Sequence, residues 1–186
     1  MKIAIDPGHG MSNRRPGVYD PGACRKADGI FYREAEIAMA YGNTLAWLCF
    51  QANIPIWLSR RSEIDPCPVG QRAPRAAAAG CTHLVSLHLN SFILPGANGI
   101  EVLWRTPQSQ NLARALQSRL VVVTGRRDRG IVERHDLAVL DFKPGPAVLV
   151  EFGFISNAAD RGYLLLRDNR IAICAAIVDV LKELEP

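Results

Sequence analysis

The chain has 186 residues, of which 48% are hydrophobic and 22% are charged, values that suit one globular domain with a sizeable core over residues 1–186. The net charge of +4 is mildly basic, and no aromatic residue interleaves with the arginine-rich segment 126–129, so nucleic-acid binding is not expected. That segment is either a solvated loop or a patch that attracts an anionic polymer such as cell wall.

Apolar runs along the chain predict six β-strands, at residues 2–6, 54–60, 83–89, 99–104, 137–140 and 147–152. Helical spacing of apolar residues predicts helices at 34–50, 108–121 and 169–184. The alanine-rich residues 70–80 predict a short helix, and residues 157–166 predict another with Asn157 as its N-cap. This alternation predicts an α/β protein, a three-layer αβα domain with a mostly parallel, about six-stranded central sheet. The long loops 10–33 and 122–136 remain, and such loops are often functional.

Cysteine usage and the N-terminus bear on localisation. The five cysteines are odd in number and form no CxxC pair, which favours free thiols in a reducing compartment. Residues 2–6 already form the first predicted strand, so no secretory signal is visible, and no apolar run is long enough to span a membrane. We therefore expect synthesis in the cytoplasm and no membrane insertion.

Three short motifs carry candidate chemistry at the ends of predicted strands. Asp6-Pro7-Gly8-His9-Gly10 follows the first strand, Ser86-Leu87-His88-Leu89-Asn90 closes the third, and Glu151 closes the last. Because parallel strands release their chains at one shared edge, these side chains could converge there, and Glu34 at a helix start can join them. Two histidines and one glutamate are a known catalytic zinc ligand set, and a further glutamate can supply a base.

Each histidine also has an ordinary structural explanation. His9 lies between Gly8 and Gly10, which allow a tight turn, and it could be a turn histidine without a ligand. His88 could be a core histidine with a hydrogen-bonded ring. His83 and His88 point to opposite faces of the same strand, so only one of them faces a given site. His88 is nearer the carboxyl end of the strand, where sites form, and is therefore preferred.

The acidic candidates have similar alternatives. Glu34 and Glu36 begin a predicted helix, where acidic residues favour the helix dipole, and they cannot share one helical face. Glu151 directly follows the apolar residues 147–150, and a carboxylate there is costly unless it is paired, protonated or near a metal. Such perturbed acids cluster at functional sites, although a structural salt bridge with an arginine is the alternative.

Together these residues resemble the zinc-dependent N-acetylmuramoyl-L-alanine amidases of the amidase-3 type, over nearly the whole chain from Ile5 to about Leu181. The segments that match family motifs are Asp6-Pro7-Gly8-His9-Gly10, Asp20-Pro21-Gly22-Ala23, Glu34, Leu58-Ser59-Arg60, Arg72, Ser86-Leu87-His88-Leu89-Asn90 and Val150-Glu151-Phe152-Gly153-Phe154-Ile155-Ser156-Asn157. Departures from the family pattern occur at Ser59, Ala77 and Thr82, none of which matches a ligand.

The resemblance implies that His9, Glu34 and His88 hold one Zn²⁺ and that Glu151 acts as general base and acid. It implies hydrolysis of the amide between the lactyl group of N-acetylmuramic acid and L-alanine of the peptidoglycan stem peptide. Asp20 and Asn90 are candidate substrate-binding residues or residues that support the ligands.

The expected partner is peptidoglycan, and the protein is expected to be a monomer. The missing signal and free cysteines fit a phage endolysin made in a host cytoplasm and released by a holin-type route, or a bacterial enzyme exported in another way. A different zinc peptidoglycan hydrolase, such as a carboxypeptidase, and a non-catalytic wall-binding module are the alternatives.

Overall fold

The structure, a computed structural model, describes residues 1–184, so the last two residues of the predicted domain 1–186 lie outside it. The strands in this range are β1 (Ile3–Pro7), β2 (Gly10–Met11), β3 (Tyr19–Asp20), β4 (Cys24–Ala27), β5 (Ile30–Arg33), β6 (Ile56–Leu58), β7 (His83–Asn90), β8 (Ile100–Trp104), β9 (Asp128–Glu133) and β10 (Ala147–Phe154). The α-helices are α1 (Glu34–Gln51), α2 (Arg72–Ala78), α3 (Pro107–Thr124), α4 (Ala158–Leu165) and α5 (Arg167–Glu183). Short 3₁₀ helices lie at Val69–Gln71 and Ala138–Leu140.

The central sheet has six strands in the order β6-β1-β7-β10-β8-β9. Strands β6, β1, β7 and β10 run parallel, whereas β8 is antiparallel to β10 and carries β9 parallel beside it. The predicted α/β class with a mostly parallel, six-stranded sheet is therefore confirmed. The predicted N-cap is also confirmed, because the Asn157 side chain accepts hydrogen bonds from the backbone N–H groups of Ala159 and Asp160 in the first turn of α4.

Alternation along the strands builds two cores, one on each face of the sheet. Ile5, Leu87 and Val150 belong to the larger core, which is covered by α1, α3 and α5. Leu84 and Leu149 belong to the smaller core, which is covered by α2 and the second 3₁₀ helix. By the same alternation, the side chains of His88 and Glu151 lie on the face of the sheet that carries the smaller core.

Two sequence predictions are wrong in detail. Residues 137–140 do not form a strand; Val139 and Leu140 lie in a 3₁₀ helix, and their apolar side chains cover the smaller core. The sixth strand is instead β9, inside the predicted loop 122–136. It was missed because it lies at the sheet edge and is mostly exposed, so it has no run of apolar residues. The predicted loop 10–33 contains the two small antiparallel pairs β2–β3 and β4–β5.

All five cysteines are free thiols, as predicted, with Cys24 exposed and the others buried. Within residues 1–184, the helices are too short or too polar to cross a lipid bilayer.

Candidate metal centre and active site

A cavity of about 670 Å³ opens at the carboxyl ends of β1, β7 and β10, on the face of the sheet that carries the smaller core. His9, Glu34, His88 and Glu151 all line it, together with Asp20 and Asn90. The structure therefore brings every predicted site residue to one cavity, although they come from turns, strands and a helix start spread over most of the chain.

His9, Glu34 and His88 form the tightest cluster at this cavity. One ligand atom from each lies within 4.8 Å of the others. His9 Nε2 is 3.0 Å from Glu34 Oε2, and His88 Nδ1 is 2.8 Å from Glu34 Oε1. Close approach of the strands makes this possible, because a Cβ at Gly8 would overlap the His88 ring.

Glu34 is buried at the start of α1, yet its carboxylate is stabilised in the ionised form. Backbone N–H groups of Ala23 and Leu89 donate to its two oxygens at 2.9 and 3.1 Å. Burial alone would raise the pKa of Glu34, but hydrogen bonds from His88 and His9 and their charge outweigh it and hold the pKa far below its usual range. A carboxylate in this state can ligate a cation without first losing a proton.

Asp20 fixes the orientation of the His9 ring from the side away from Glu34. Asp20 Oδ2 lies 3.1 Å from His9 Nδ1 and accepts from Asn13 Nδ2 at 2.6 Å, while the Gly22 N–H donates to Oδ1. These bonds lower the pKa of Asp20 against the opposing effect of burial. Burial alone would lower the pKa of His9, but its bonds to Glu34 and Asp20 raise it. A proton on His9 Nδ1 leaves Nε2 directed at the cluster.

A buried ion pair lies beneath the His9 turn. Arg72 Nη1 is 2.6 Å from Asp6 Oδ1, and the hydroxyls of Ser59 and Ser86 donate to the same carboxylate. Burial would raise the pKa of Asp6, but Arg72 and the two hydroxyls lower it. The guanidinium of Arg72 also donates to backbone carbonyls, those of Pro7, His9 and Cys67.

A second buried arginine, Arg60, lies next to this pair and bonds to carbonyl groups. Its Nε donates to Pro7 O at 3.0 Å, and its Nη2 donates to Gly8 O at 2.9 Å and to Ala35 O at 2.6 Å. Arg60 and Arg72 thus satisfy the carbonyls of the chain that leads into and out of the His9 turn.

Glu151 differs from Glu34 in its surroundings. It lies on β10, opposite His88 of β7 and Glu101 of β8. Its Oε2 is buried without a hydrogen-bond partner in the described part of the chain. Burial, and then the carboxylates of Glu34 and Glu101, raise the pKa of Glu151 well above its usual value, with Arg134 opposing.

Asn90 lines the cavity and is hydrogen-bonded to Glu101 of β8. Its Nδ2 donates to Glu101 Oε1 at 2.5 Å, and its Oδ1 accepts from the Ser91 N–H. Glu101 is held on its other oxygen by Arg129 at 3.2 Å. The Asn90 amide therefore fixes the carboxylate of Glu101, the residue paired with Glu151 across β8 and β10.

Nearly the whole chain is similar to known proteins in sequence and in structure. Residues 3–183 match the model of the N-acetylmuramoyl-L-alanine amidase family. The chain belongs to this family. A crystal structure of an N-acetylmuramoyl-L-alanine amidase from Clostridium difficile 630 superposes with a TM-score of 0.86 at 28% identity, covering 98% of this chain and 95% of that one.

Two proteins of Bacillus subtilis are similar in sequence to this amidase. The uncharacterised protein YqiI is 30% identical over 181 residues, which are 95% of this chain and 81% of YqiI. The N-acetylmuramoyl-L-alanine amidase LytC is 32% identical over 167 residues, which are 87% of this chain and 31% of LytC. The amidase thus spans about a third of the length of LytC.

The donors of the cluster fit a catalytic zinc site. Two imidazole nitrogens and one carboxylate are a recurrent set for such sites, and they leave a coordination position open. The contact of Asp20 with the far nitrogen of His9 also matches the carboxylate–histidine–zinc arrangement. Glu36, the other acid of the helix start, is instead 2.5 Å from Arg33 Nη1 and does not line the cavity.

Sequence reasoning missed several residues of the amidase site. Asn13 and Arg14, which contact Asp20, lie in the loop 10–33 and carried no signal beyond the loop's length. Glu101 does not line the cavity, but its charge acts on Glu151, and it could have been noticed as an acid between the apolar residues Ile100 and Val102.

Gly22 is expected to tolerate no side chain. Its φ is +68°, and a Cβ would lie 2.6 Å from His9 Cδ2 and 2.7 Å from Glu34 Oε2. We expect Gly22→Ala to weaken zinc binding and to lower the free energy of unfolding by more than the roughly 1–2 kcal/mol of left-handed backbone strain. Zinc content and denaturant unfolding of the metal-free protein measure both effects.

Gly29→Ala is the matched control, because Gly29 has a φ of +77° and nothing within 4 Å of a Cβ. It should show the backbone strain alone and keep full zinc binding. Equal zinc affinity in the two variants would show that the space at Gly22 is not needed by the site.

Asp20→Asn is expected to weaken zinc binding at the candidate site roughly 10–100-fold, the usual effect of losing the outer partner of a histidine that ligates a metal. The asparagine keeps the size but removes the charge that orients His9. Competition with a chromophoric chelator measures the affinity. Asp136→Asn is the control, because Asp136 lines the same cavity but pairs with Arg134. If Asp20→Asn binds zinc as the parent does, Asp20 does not orient a ligand.

Proposed function

We propose that this amidase hydrolyses the amide between the lactyl group of N-acetylmuramic acid and L-alanine of the stem peptide. The observation that carries the proposal is the convergence of His9, Glu34 and His88 beside the buried carboxyl of Glu151 in one cavity. Membership of the family supports peptidoglycan as the substrate.

The proposed ligands of one catalytic zinc ion are His9, Glu34 and His88. When bound there, zinc supplies a Lewis acid that lowers the pKa of a water molecule and polarises the scissile carbonyl. Glu34 contributes the negative charge of the set, and Asp20 keeps the His9 ring in the orientation that directs Nε2 at the cluster.

Glu151 is the proposed general base and acid. Its carboxylate accepts a proton from the attacking water and returns a proton to the nitrogen of the leaving amine, which departs poorly unless protonated. The raised pKa of Glu151 favours holding that proton between the two transfers, and a divalent cation nearby would oppose the rise and keep the group able to ionise. Asn90 and Asp20 line the same cavity and are proposed to contact substrate or to support these groups.

The proposed function extends to the domain organisation, the site of synthesis, the route of release and the oligomeric state. We propose that residues 1–186 form a single catalytic domain, with the family match over residues 3–183 as support. Synthesis in a bacterial cytoplasm is supported by the five free thiols. We further propose endolysin-like release through a holin-type route. We also propose that the protein is a monomer, which sedimentation of the purified protein tests.

Mass spectrometry of digested peptidoglycan tests the function. Intact sacculi are incubated with the zinc-loaded protein, and we expect released peptides with a new L-alanine amino terminus. A sample treated with a chelator should be inactive and should recover when zinc is restored. Release of a carboxy-terminal amino acid would instead identify a carboxypeptidase, and binding to sacculi without new termini would identify a wall-binding module.

A further inference from the structure

Arg60 is an unusual residue to find beneath a metal centre. It is 1% exposed, and the partners of its guanidinium are backbone carbonyls, whereas the neighbouring Arg72 pairs with the carboxylate of Asp6. Burial, and then the charge of Arg72, lower the pKa of Arg60. Keeping a second guanidinium in this place is costly unless its hydrogen bonds are needed there.

Those hydrogen bonds connect two of the three proposed ligands. Gly8, whose carbonyl is 2.9 Å from Arg60 Nη2, precedes His9, and Ala35, whose carbonyl is 2.6 Å from the same nitrogen, follows Glu34. A single nitrogen atom thus bridges the turn that carries His9 and the helix start that carries Glu34. The bond from Arg60 Nε to Pro7 O adds a second hydrogen bond to the turn.

The conformation of His9 explains why the turn needs such support. Its φ is +59°, in the left-handed region that non-glycine residues seldom adopt unless their surroundings hold them. Arg60 binds the carbonyls before His9, and Arg72 binds the carbonyl of His9 itself at 2.7 Å. Of these two arginines, Arg60 is the one that also reaches the start of α1.

We propose that Arg60 is a positioning residue for the metal centre, which sets the separation between His9 and Glu34 through its bridge from Gly8 O to Ala35 O. This inference rests on the proposed zinc site. It assigns Arg60 a role in preorganising the ligands, so that the energy of metal binding is not spent on bringing two chain segments together.

Arg60→Lys tests the bridge while keeping the charge. A lysine ammonium is a compact donor on a different stem and cannot reproduce the planar fork that spans the three carbonyls. We expect zinc affinity, measured by chelator competition, to fall roughly 10–100-fold. The visible spectrum of the Co²⁺-loaded variant should also differ from that of the parent, because the spectrum reports the geometry of the ligands.

Arg161→Lys is the matched control for the loss of a buried arginine. Arg161 is 7% exposed and donates to a backbone carbonyl, that of Ile155, at 2.9 Å. Both variants should unfold at a lower temperature than the parent in the metal-free state. Only Arg60→Lys should lose zinc affinity and change the Co²⁺ spectrum; if the two variants keep the affinity and spectrum of the parent, Arg60 contributes to folding alone and the inference is wrong.

A measurement on the parent protein covers the case in which Arg60→Lys does not fold. Exchange of the guanidinium protons of Arg60 with water, followed by NMR, should slow when zinc is added, while exchange at Arg161 should not change. Unchanged exchange at Arg60 would overturn the inference. A parent that binds no zinc would overturn the metal centre itself, and that outcome is distinct from a parent that binds zinc with Arg60→Lys unimpaired.

Discussion

Glu151→Gln is expected to slow amide hydrolysis by about 10²–10⁴-fold, the usual contribution of a general acid–base group. Glutamine keeps the size of the side chain but cannot accept the proton of the attacking water. Because Glu151 does not belong to the cluster of His9, Glu34 and His88, the zinc content should stay near that of the parent. Rate and zinc stoichiometry are measured on the same preparation.

Glu101→Gln is the matched control for Glu151, since Glu101 lies directly opposite on β8 and its charge also acts on Glu151. It should reduce the rate far less, because its carboxylate is already bound by Asn90 and Arg129. An inactive Glu151→Gln protein that has lost its zinc would make Glu151 a ligand. A fully active one would remove Glu151 from the mechanism.

Glu34→Gln is expected to abolish stoichiometric zinc binding, and with it the hydrolytic activity. The amide has no negative charge to offer and cannot accept hydrogen bonds on both terminal atoms as the carboxylate does from Ala23 and Leu89. The loss of affinity should exceed the roughly 10–100-fold expected for an outer partner such as Asp20. Zinc is measured by metal analysis after dialysis against a defined free-zinc buffer.

Glu36→Gln provides the comparison two residues further along α1. Glu36 is paired with Arg33 near the surface, and its loss should leave zinc content and activity close to those of the parent. If Glu36→Gln loses zinc while Glu34→Gln keeps it, the ligand has been assigned to the wrong acid of the helix start.

The central strands could be predicted from the sequence because they are buried on both faces. The apolar runs of β1, β7 and β10 mark strands in which most residues pack against one core or the other. The edge strand β9 has no such run, and the apolar residues 137–140 form a 3₁₀ helix that covers a core. Burial alone therefore does not distinguish pairing in the sheet from packing onto it.

His9, His88 and Glu151 could be proposed because they stand out at the ends of apolar strands, whereas Glu34 begins a helix and its role as a ligand came from the family motif. The contacts of Arg60 and Arg72 with the His9 turn could not be predicted, since hydrogen bonds to backbone carbonyls leave no pattern in a sequence. Arg60 and Arg72 matched family motifs, but their contacts with the His9 turn depend on its left-handed conformation and on the approach of α1. The Asn90–Glu101 contact depends on the register of β8 beside β10 in the same way.

The position of β10 has a consequence for folding during synthesis on the ribosome. It is the last strand to be synthesised, yet it lies between β7 and β8. At about 5–20 residues per second, a ribosome takes roughly 2–9 s to go from the end of β8 at Trp104 to the start of β10 at Ala147. During that time the sheet can exist only as two separate parts with open edges. The proposed ligands His9, Glu34 and His88 all precede this strand, whereas the proposed base Glu151 lies on it, so the proposed site would be completed only when β10 inserts and closes the sheet.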